Sequence, residues 1–96
     1  MEDDEFAWDD AKAASNLARH GVSFNAARLA FSDPFAVERD DLREDYGEHR
    51  ATITGMVGNR LLFVAYTIRD HRIRIIMARF AEPFERRLYH EANTQD

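Results

Sequence analysis

Cysteine is absent from this 96-residue sequence, and lysine, glycine, proline and tryptophan are scarce. Without cysteine, the chain can form no disulfide, no thiolate metal site and no cysteine nucleophile. Long apolar runs are also missing, because the longest, residues 61–66, is far shorter than the roughly 20 residues that span a bilayer. The N-terminal segment MEDDEF is acidic where a secretory signal is basic and then apolar. We therefore expect a soluble, cytoplasmic protein without a membrane segment.

The size and charge of the chain limit its organisation and its partners. At 96 residues, 45% of them hydrophobic, it suffices for one modest core, so we expect a single domain over residues 1–96. The net charge of −5 argues against nucleic-acid binding, but residues 1–48 carry −8 and residues 49–96 carry +3. All but one of the 13 basic side chains are arginine, which binds phosphate in a bidentate manner. The asymmetry indicates a basic patch, although solvated arginines in an arginine-rich composition would give the same counts.

Two helices are predicted in the first third of the sequence. Apolar residues at spacings of three and four predict a helix over residues 11–20 and a second one from Phe24 to about Phe31. Side chains that cap helices and residues that end them lie at the expected places. They are Asp9 or Asp10, Gly21, Ser23 and the pair Asp33-Pro34.

Strands are predicted before and after these helices. A strand-like start covers residues 6–8, and alternating or continuous apolar residues predict further strands at 35–39, 50–57, 61–68 and 72–80. Two-residue turns at Gly58-Asn59 and Asp70-His71 join the last three, and residues 40–48 form a polar loop. Pro83 suits the first turn of a final helix. The order predicts an α+β fold, with two N-terminal helices on a three- or four-stranded antiparallel sheet and a C-terminal helix.

The last predicted strand carries the arginines with the clearest chemical interest. Strict alternation places Arg72 and Arg74 on one face together with Ala78 and Phe80, and it leaves Arg79 on the opposite, apolar face. A bulge or the end of the strand would free Arg79 from that face. These arginines either line a groove or make salt bridges across the sheet.

The final helix and the end of the first helix supply further candidates. Glu85 and Tyr89 share one face of the final helix beside Arg86, where they could provide a carboxylate for proton transfer and a ring for base stacking. An ordinary surface pair explains this spacing equally well. His20 lies where the helix dipole favours a cation, so a structural cap is the simpler interpretation, and Lys12 is expected to be exposed. The four histidines show no metal-binding spacing, and no cofactor-binding motif is present.

Two longer segments, one near each end of the chain, match extended residue patterns. FAWDDAKAASNLARHGVSFNAA, residues 6–27, fits F-x-W-D followed by a lysine, an asparagine and [KR]-H-G-V-S-F. RIRIIMARFAEPFERRLYHE, residues 72–91, fits R-I-I-S-A-R-x-A-x-x-x-E-R-x-x-Y. Both patterns resemble the BrnT family of toxins. The chain departs from them at Met77, where the family usually has serine, and at Glu82, where it usually has threonine or serine.

The resemblance implies a RelE-like fold and a ribonuclease that arrests translation. It also implies a BrnA-type antitoxin that neutralises the enzyme and supplies the DNA binding, so that DNA is contacted only through the antitoxin. No cofactor and no metal are expected, because RNA carries its own nucleophile, the 2′-hydroxyl. The catalytic candidates that follow from the resemblance are Arg74, Arg79, Glu85, Arg86 and His20. The candidates for RNA contact are Lys12, Arg72 and Tyr89.

Two other functions remain compatible with the sequence. The first is a catalytically weak RelE-like binding module, whose main role is to form a complex with an antitoxin and to contribute to autoregulation. The second is a protein that binds DNA directly, which the net charge and the lack of a recognisable recognition helix disfavour.

Overall fold

The helices and the antiparallel strands occupy separate stretches of the chain, as the α+β class requires. The structure, a computed structural model, describes residues 1–42 and 47–94. Within that part of the chain the elements are β1 (Phe6–Ala7), α1 (Asp10–His20), α2 (Phe24–Ala27), a 3₁₀ helix η1 (Arg28–Ser32), β2 (Val37–Asp40), β3 (Ala51–Val57), β4 (Arg60–Arg69), β5 (Arg72–Phe80) and α3 (Pro83–Ala92). The α+β class is therefore confirmed. Residues 43–46 of the expected polar loop lie outside the described residues.

The sheet is larger than expected and is mixed. Its described strands follow the order β1-β5-β4-β3-β2, so the long, apolar β4 is central, as the sequence predicts. Four strands, β2 to β5, pair in antiparallel fashion, as expected, but β1 adds a fifth strand that runs parallel to β5. Phe6 pairs with Ile73, whose N–H donates to the carbonyl of Glu5 at 2.8 Å. Such a parallel pair between distant segments leaves no local sequence signal.

Local capping chemistry sets the helix boundaries. Asp9 accepts the N–H of Lys12 at 2.9 Å, and Gly21 ends α1 with a left-handed φ of 71°. Ser23 caps α2 by accepting the N–H of Ala26, as expected. The single second helix is not observed, because the chain tightens into the 3₁₀ helix η1 after Ala27, a common way for a helix to end.

Asp33 explains why β2 begins later than the predicted strand at 35–39. Its carboxylate accepts the N–H of Phe35, and its carbonyl accepts the N–H of Ala36, so these residues form a turn instead of a strand. The strand then begins at Val37, and Phe35 is left 60% exposed.

The core lies between one face of the sheet and the layer formed by α2 and η1. Phe24 and Val64 are its largest fully buried side chains, and Phe31 packs edge-to-face on Tyr66 with ring centroids 4.9 Å apart. The two layers approach closely at Gly55. A Cβ atom there would lie 2.6 Å from the carbonyl oxygen of Ala30, so only glycine fits without displacing backbone.

A β-bulge in β5 changes which side chains share a face. Ala65 pairs with Met77 and Tyr66 with Ile75, so Ile76 is an extra residue on β5. Beyond it, Ala78 and Phe80 join the face of Ile73 and Ile75, whereas Met77 and Arg79 join the face of Arg72 and Arg74. The strict alternation expected for this strand is therefore wrong, and the alternative that a bulge frees Arg79 from the apolar face is confirmed.

The outer edge of β5 is covered by α1 instead of another strand. Because β1 pairs only with Ile73 and Arg74, the ladder groups beyond them need other partners. The Asn16 amide donates to the Ala78 carbonyl at 2.8 Å and accepts the Ala78 N–H at 3.1 Å. It also donates to the Val22 carbonyl at 2.9 Å, and the residue is only 7% exposed. Asn16 thus replaces a strand at this point of the edge.

We predict that Asn16→Ala is strongly destabilising. It leaves the buried N–H and C=O groups of Ala78 unpaired, and each such group costs about 1–3 kcal/mol, so the free energy of unfolding should fall by about 2–4 kcal/mol. Urea denaturation followed by circular dichroism measures the change. Asn25→Ala, at an exposed position of α2, is the matched control and should stay within about 0.5 kcal/mol of wild type. Equal stability of the two variants would contradict the edge role of Asn16.

Candidate active site

The second face of the sheet, which points away from the α2 and η1 layer, carries the three candidate arginines of β5, Arg72, Arg74 and Arg79. It is defined on β4 and β5 by the pairs Thr67–Arg74, Ala65–Met77 and Phe63–Arg79. A groove of about 350 Å³ separates this face from α3, and Phe63, Arg79, Phe84, Glu85 and Leu88 are among the residues that line it. We call it the sheet groove.

Arg79 is held rigidly in the sheet groove. Its guanidinium donates to both carboxylate oxygens of Glu85, at 2.8 and 2.9 Å, and lies 4.2 Å from the centroid of the Phe63 ring. The Arg79 side chain is 21% exposed and that of Glu85 is 12% exposed. A bidentate pair on an aromatic ring fixes the plane of the guanidinium, and the Glu82 carboxylate lies a further 3.5 Å from it. The expectation that strand and helix bring these two residues together is confirmed.

Glu85 has a second contact that limits its chemistry. The Oε1 atom that binds Arg79 also accepts the N–H of Glu82 at 2.8 Å, which forms a capping box at the start of α3. The replacement of the usual threonine or serine by Glu82 therefore leaves the helix cap intact. Because both oxygens of Glu85 are occupied, the geometry favours Glu85 as a residue that positions Arg79.

A second cleft lies between α1 and the edge of β5. Lys12 and His20 stand four residues before and after Asn16, so they share the helix face that Asn16 turns towards β5. Together with Ser15 and Arg19 they line a cleft of about 200 Å³, the edge cleft, whose other wall is formed by Ile76 and Met77. Met77 belongs to the second face and neighbours Arg79 along β5, so the edge cleft and the sheet groove adjoin at this strand. The BrnT-like pattern has serine at the position of Met77. In this chain Ser15 supplies a hydroxyl to the same cleft that Met77 lines.

Sequence reasoning missed Ser15 and Arg19. Both follow Lys12 at helical spacings, three and seven residues on, and this spacing is the signal that could have identified them.

Arg74 and Arg72 have different surroundings although they are two residues apart. Arg72 donates to the Asp3 carbonyl at 2.6 Å and pairs with Glu2 at 3.3 Å, so it fastens the N-terminal segment to β5. Arg74 lies on the second face, near Asp9 and Glu48. The backbone N–H of Lys12 chiefly lowers the pKa of Asp9, and the hydrogen bond from Arg69 chiefly lowers the pKa of Glu48, while the charge of Arg74 contributes to both. Of the two, Arg74 is therefore the better candidate for contact with a ligand on the second face.

Tyr89 is an interior residue of this fold. It is 7% exposed, and its hydroxyl donates to the Asp33 carboxylate at 2.8 Å. Burial, followed by this hydrogen bond, raises the pKa of Tyr89 to about 12. Partial burial works to raise the pKa of Asp33, but the N–H groups of Met56 and Phe35 and the Tyr89 hydroxyl lower it overall. A ring this deeply buried has no face free for a base, so the structure favours an anchoring role for Tyr89.

Arg86 lies on the other side of α3 from Glu85. It lines a separate groove with Arg60 and His90, beside the turn between β3 and β4. The arginines of the second half are thus distributed over several places, and carboxylates such as Glu2 and Glu85 stand between them. The basic patch expected from the charge asymmetry is therefore not one continuous surface.

The described part of the chain contains neither a metal-binding cluster nor a membrane-spanning helix. Among residues 1–42 and 47–94, no three histidine, aspartate or glutamate side chains are grouped so that they could hold a metal ion. Within the same residues, no helix has the length and apolar character needed to cross a bilayer.

These observations define a small α+β protein with a cation-lined cleft along one edge of its sheet. The family model described as "Ribonuclease toxin, BrnT, of type II toxin-antitoxin system" matches residues 8–85, which include α1, the whole antiparallel part of the sheet and the Arg79–Glu85 pair. The chain therefore belongs to the BrnT family of ribonuclease toxins of type II toxin–antitoxin systems. A comparison with curated proteins gives no match.

The Tyr89–Asp33 contact predicts how stability depends on pH. Because folding raises the pKa of Tyr89 from its ordinary value of about 10 to about 12, its contribution is complete below about pH 10 and is lost as the pH rises through 12. Tyr89→Phe should lower the free energy of unfolding at pH 7 by about 1–2 kcal/mol and should reduce the loss of stability at alkaline pH. Urea denaturation at pH 7, 9.5 and 11 measures both effects. An equally steep alkaline decline in both proteins would contradict the prediction.

Proposed function

We propose that this chain is an endoribonuclease that cleaves mRNA without a metal ion and so arrests translation. One observation carries the proposal. The edge cleft, with Lys12, Arg19 and His20, reaches the second face at Met77, which lies two residues before Arg79 on the same face of β5, and Glu85 and Phe63 hold the Arg79 guanidinium in place. Basic side chains along one wall of a shallow cleft suit a single strand of phosphodiesters, and a preorganised cation is what a developing phosphorane charge needs.

The chemistry requires no group that this chain lacks. The 2′-hydroxyl of RNA attacks the adjacent phosphorus, the bond from phosphorus to the 5′-oxygen breaks, and a 2′,3′-cyclic phosphate and a 5′-hydroxyl result. A base must take the proton of the 2′-hydroxyl, and an acid must protonate the leaving oxygen. In the proposal, Arg79 and Arg74 stabilise the phosphate charge, His20 takes the proton of the 2′-hydroxyl, and water protonates the leaving 5′-oxygen. Lys12 binds the RNA backbone, and Glu85 positions Arg79.

The proposal includes the partners that the BrnT resemblance implies. A BrnA-type antitoxin would neutralise the toxin in the cytoplasm by covering the second face and would provide the contact with DNA. Phe84, which is 55% exposed, and Leu88 supply apolar surface in the sheet groove for such a partner. We also propose that the arrangement of the helices and the sheet is RelE-like.

The competing function is a catalytically weak module that mainly holds an antitoxin. One observation favours it: Arg79 is already neutralised by Glu85, so its charge is only partly available to a phosphate. Induced expression distinguishes the two functions, because growth arrest with loss of mRNA requires the enzyme.

We expect purified protein to cleave RNA in the presence of EDTA, because RNA supplies the nucleophile and the proposed residues supply the charge. Products are resolved on a denaturing gel, and their 2′,3′-cyclic phosphate ends are identified by mass spectrometry. An all-deoxy substrate of the same sequence is the matched control and should remain intact. Activity that is lost in EDTA and returns only with a divalent ion would overturn the metal-independent part of the proposal.

We expect Arg79→Ala to lower the cleavage rate by about a hundredfold or more, because a preorganised charge donor is worth about 3 kcal/mol in the transition state. Glu85→Gln should reduce the rate less, by about tenfold, because it loosens Arg79 without removing it. His20→Gln should cost about a hundredfold and flatten the dependence of the rate on pH.

Arg87→Gln, at an exposed position of α3, is the control for lost charge and should retain full activity. Melting temperatures show whether each variant is folded. Folded Arg79→Ala and His20→Gln proteins that cleave RNA at the wild-type rate would remove both residues from the active site.

A further inference from the structure

A third groove lies between α3 and the turn that joins β3 to β4. It has a volume of about 380 Å³, and Asn59, Arg60, Phe80, Arg86 and His90 are among its lining residues. None of the described residues that line it is acidic. The groove brings Arg60 and Arg86 together without a carboxylate in its described lining, whereas Arg72 and Arg79 both pair with carboxylates. We call it the hairpin groove.

An aromatic platform accompanies the cations. The guanidinium of Arg60 lies 5.0 Å from the centroid of the Phe80 ring, and Phe80 remains 41% exposed. A planar guanidinium stacked on a ring is a surface on which a nucleobase can stack, and Arg86 and His90, one helical turn apart, supply donors for phosphate oxygens. An acidic peptide would use the cations but would leave the aromatic platform without a role.

The position of the hairpin groove relates it to the candidate active site. Arg79 and Phe80 are consecutive, so β5 delivers one side chain to the sheet groove and the next to the hairpin groove. Across α3, Glu85 faces the sheet groove and Arg86 faces the hairpin groove. A strand of RNA that leaves the cleavage site past the end of β5 therefore meets the hairpin groove next.

We infer that the hairpin groove is a second binding site for single-stranded RNA, which holds the substrate a few nucleotides away from the scissile bond. The inference rests on the proposed ribonuclease function, because it names a further part of the same substrate. It gives Arg86, Arg60 and His90 a role in substrate affinity, with no part in bond cleavage.

The experiment compares a short and a long probe. Fluorescence anisotropy measures the binding of uncleavable 2′-deoxy oligonucleotides of about 4 and about 12 nucleotides to wild type, Arg60→Gln, Arg86→Gln and the control Arg87→Gln. Arg60→Gln and Arg86→Gln should each weaken binding of the long probe by about three- to tenfold and should reduce the slope of log affinity against log salt by about 0.7. Binding of the short probe, and all binding by Arg87→Gln, should match wild type.

Two outcomes would overturn the inference. The first is that Arg60→Gln and Arg86→Gln bind the long probe as tightly as wild type does. If these variants then bind only the antitoxin more weakly, the groove is assigned to a protein partner. The second is an equal loss in Arg87→Gln, which would reflect net charge alone. Cleavage of a short RNA by wild type, measured in parallel, tests the proposed function separately. Loss of long-probe binding without any RNA cleavage would refute the enzyme and leave a nucleic-acid site.

Discussion

The open edge of β5 is the constraint on which this structure depends. A strand in this position needs partners for its outward N–H and C=O groups, and the two-residue β1 satisfies only the first part of the edge. Asn16 satisfies the next part from a helix, which requires α1 to lie beside the sheet. Lys12 and His20 reach the margin of the second face for that reason, and the edge cleft exists because a helix stands where another strand would leave no space.

Much of the fold could be predicted because its signals are local. The caps of α1 and α2, the turn at Gly58-Asn59 and the central position of β4 all follow from neighbouring residues. The parallel pairing of β1 with β5 could not be predicted, because Phe6 and Ile73 are distant in the sequence. The position of the bulge at Ile76 could not be predicted either. An apolar residue fits either register, and only the packing against β4 decides which register forms.

The candidate site was predicted in part. The turn at Pro83 and the spacing of six residues were enough to bring Arg79 and Glu85 together. Spacing alone could not tell which side of α3 is buried, so Tyr89 was expected on the surface although it anchors α3 to Asp33. The same limitation placed Arg86 with Glu85, whereas one step along a helix turns a side chain by about 100° and moves it into another groove.

The contact between Asn16 and Ala78 also determines when the edge cleft can form during synthesis of the chain. The two residues are 62 positions apart, and β1 likewise can pair only after β5 has been synthesised. Closing so long a loop is slow, and it cannot begin until β5 has left the ribosome. One wall of the edge cleft is therefore made early and the other near the end of translation. A nascent chain therefore lacks a completed edge cleft until β5 has been synthesised and has folded against α1.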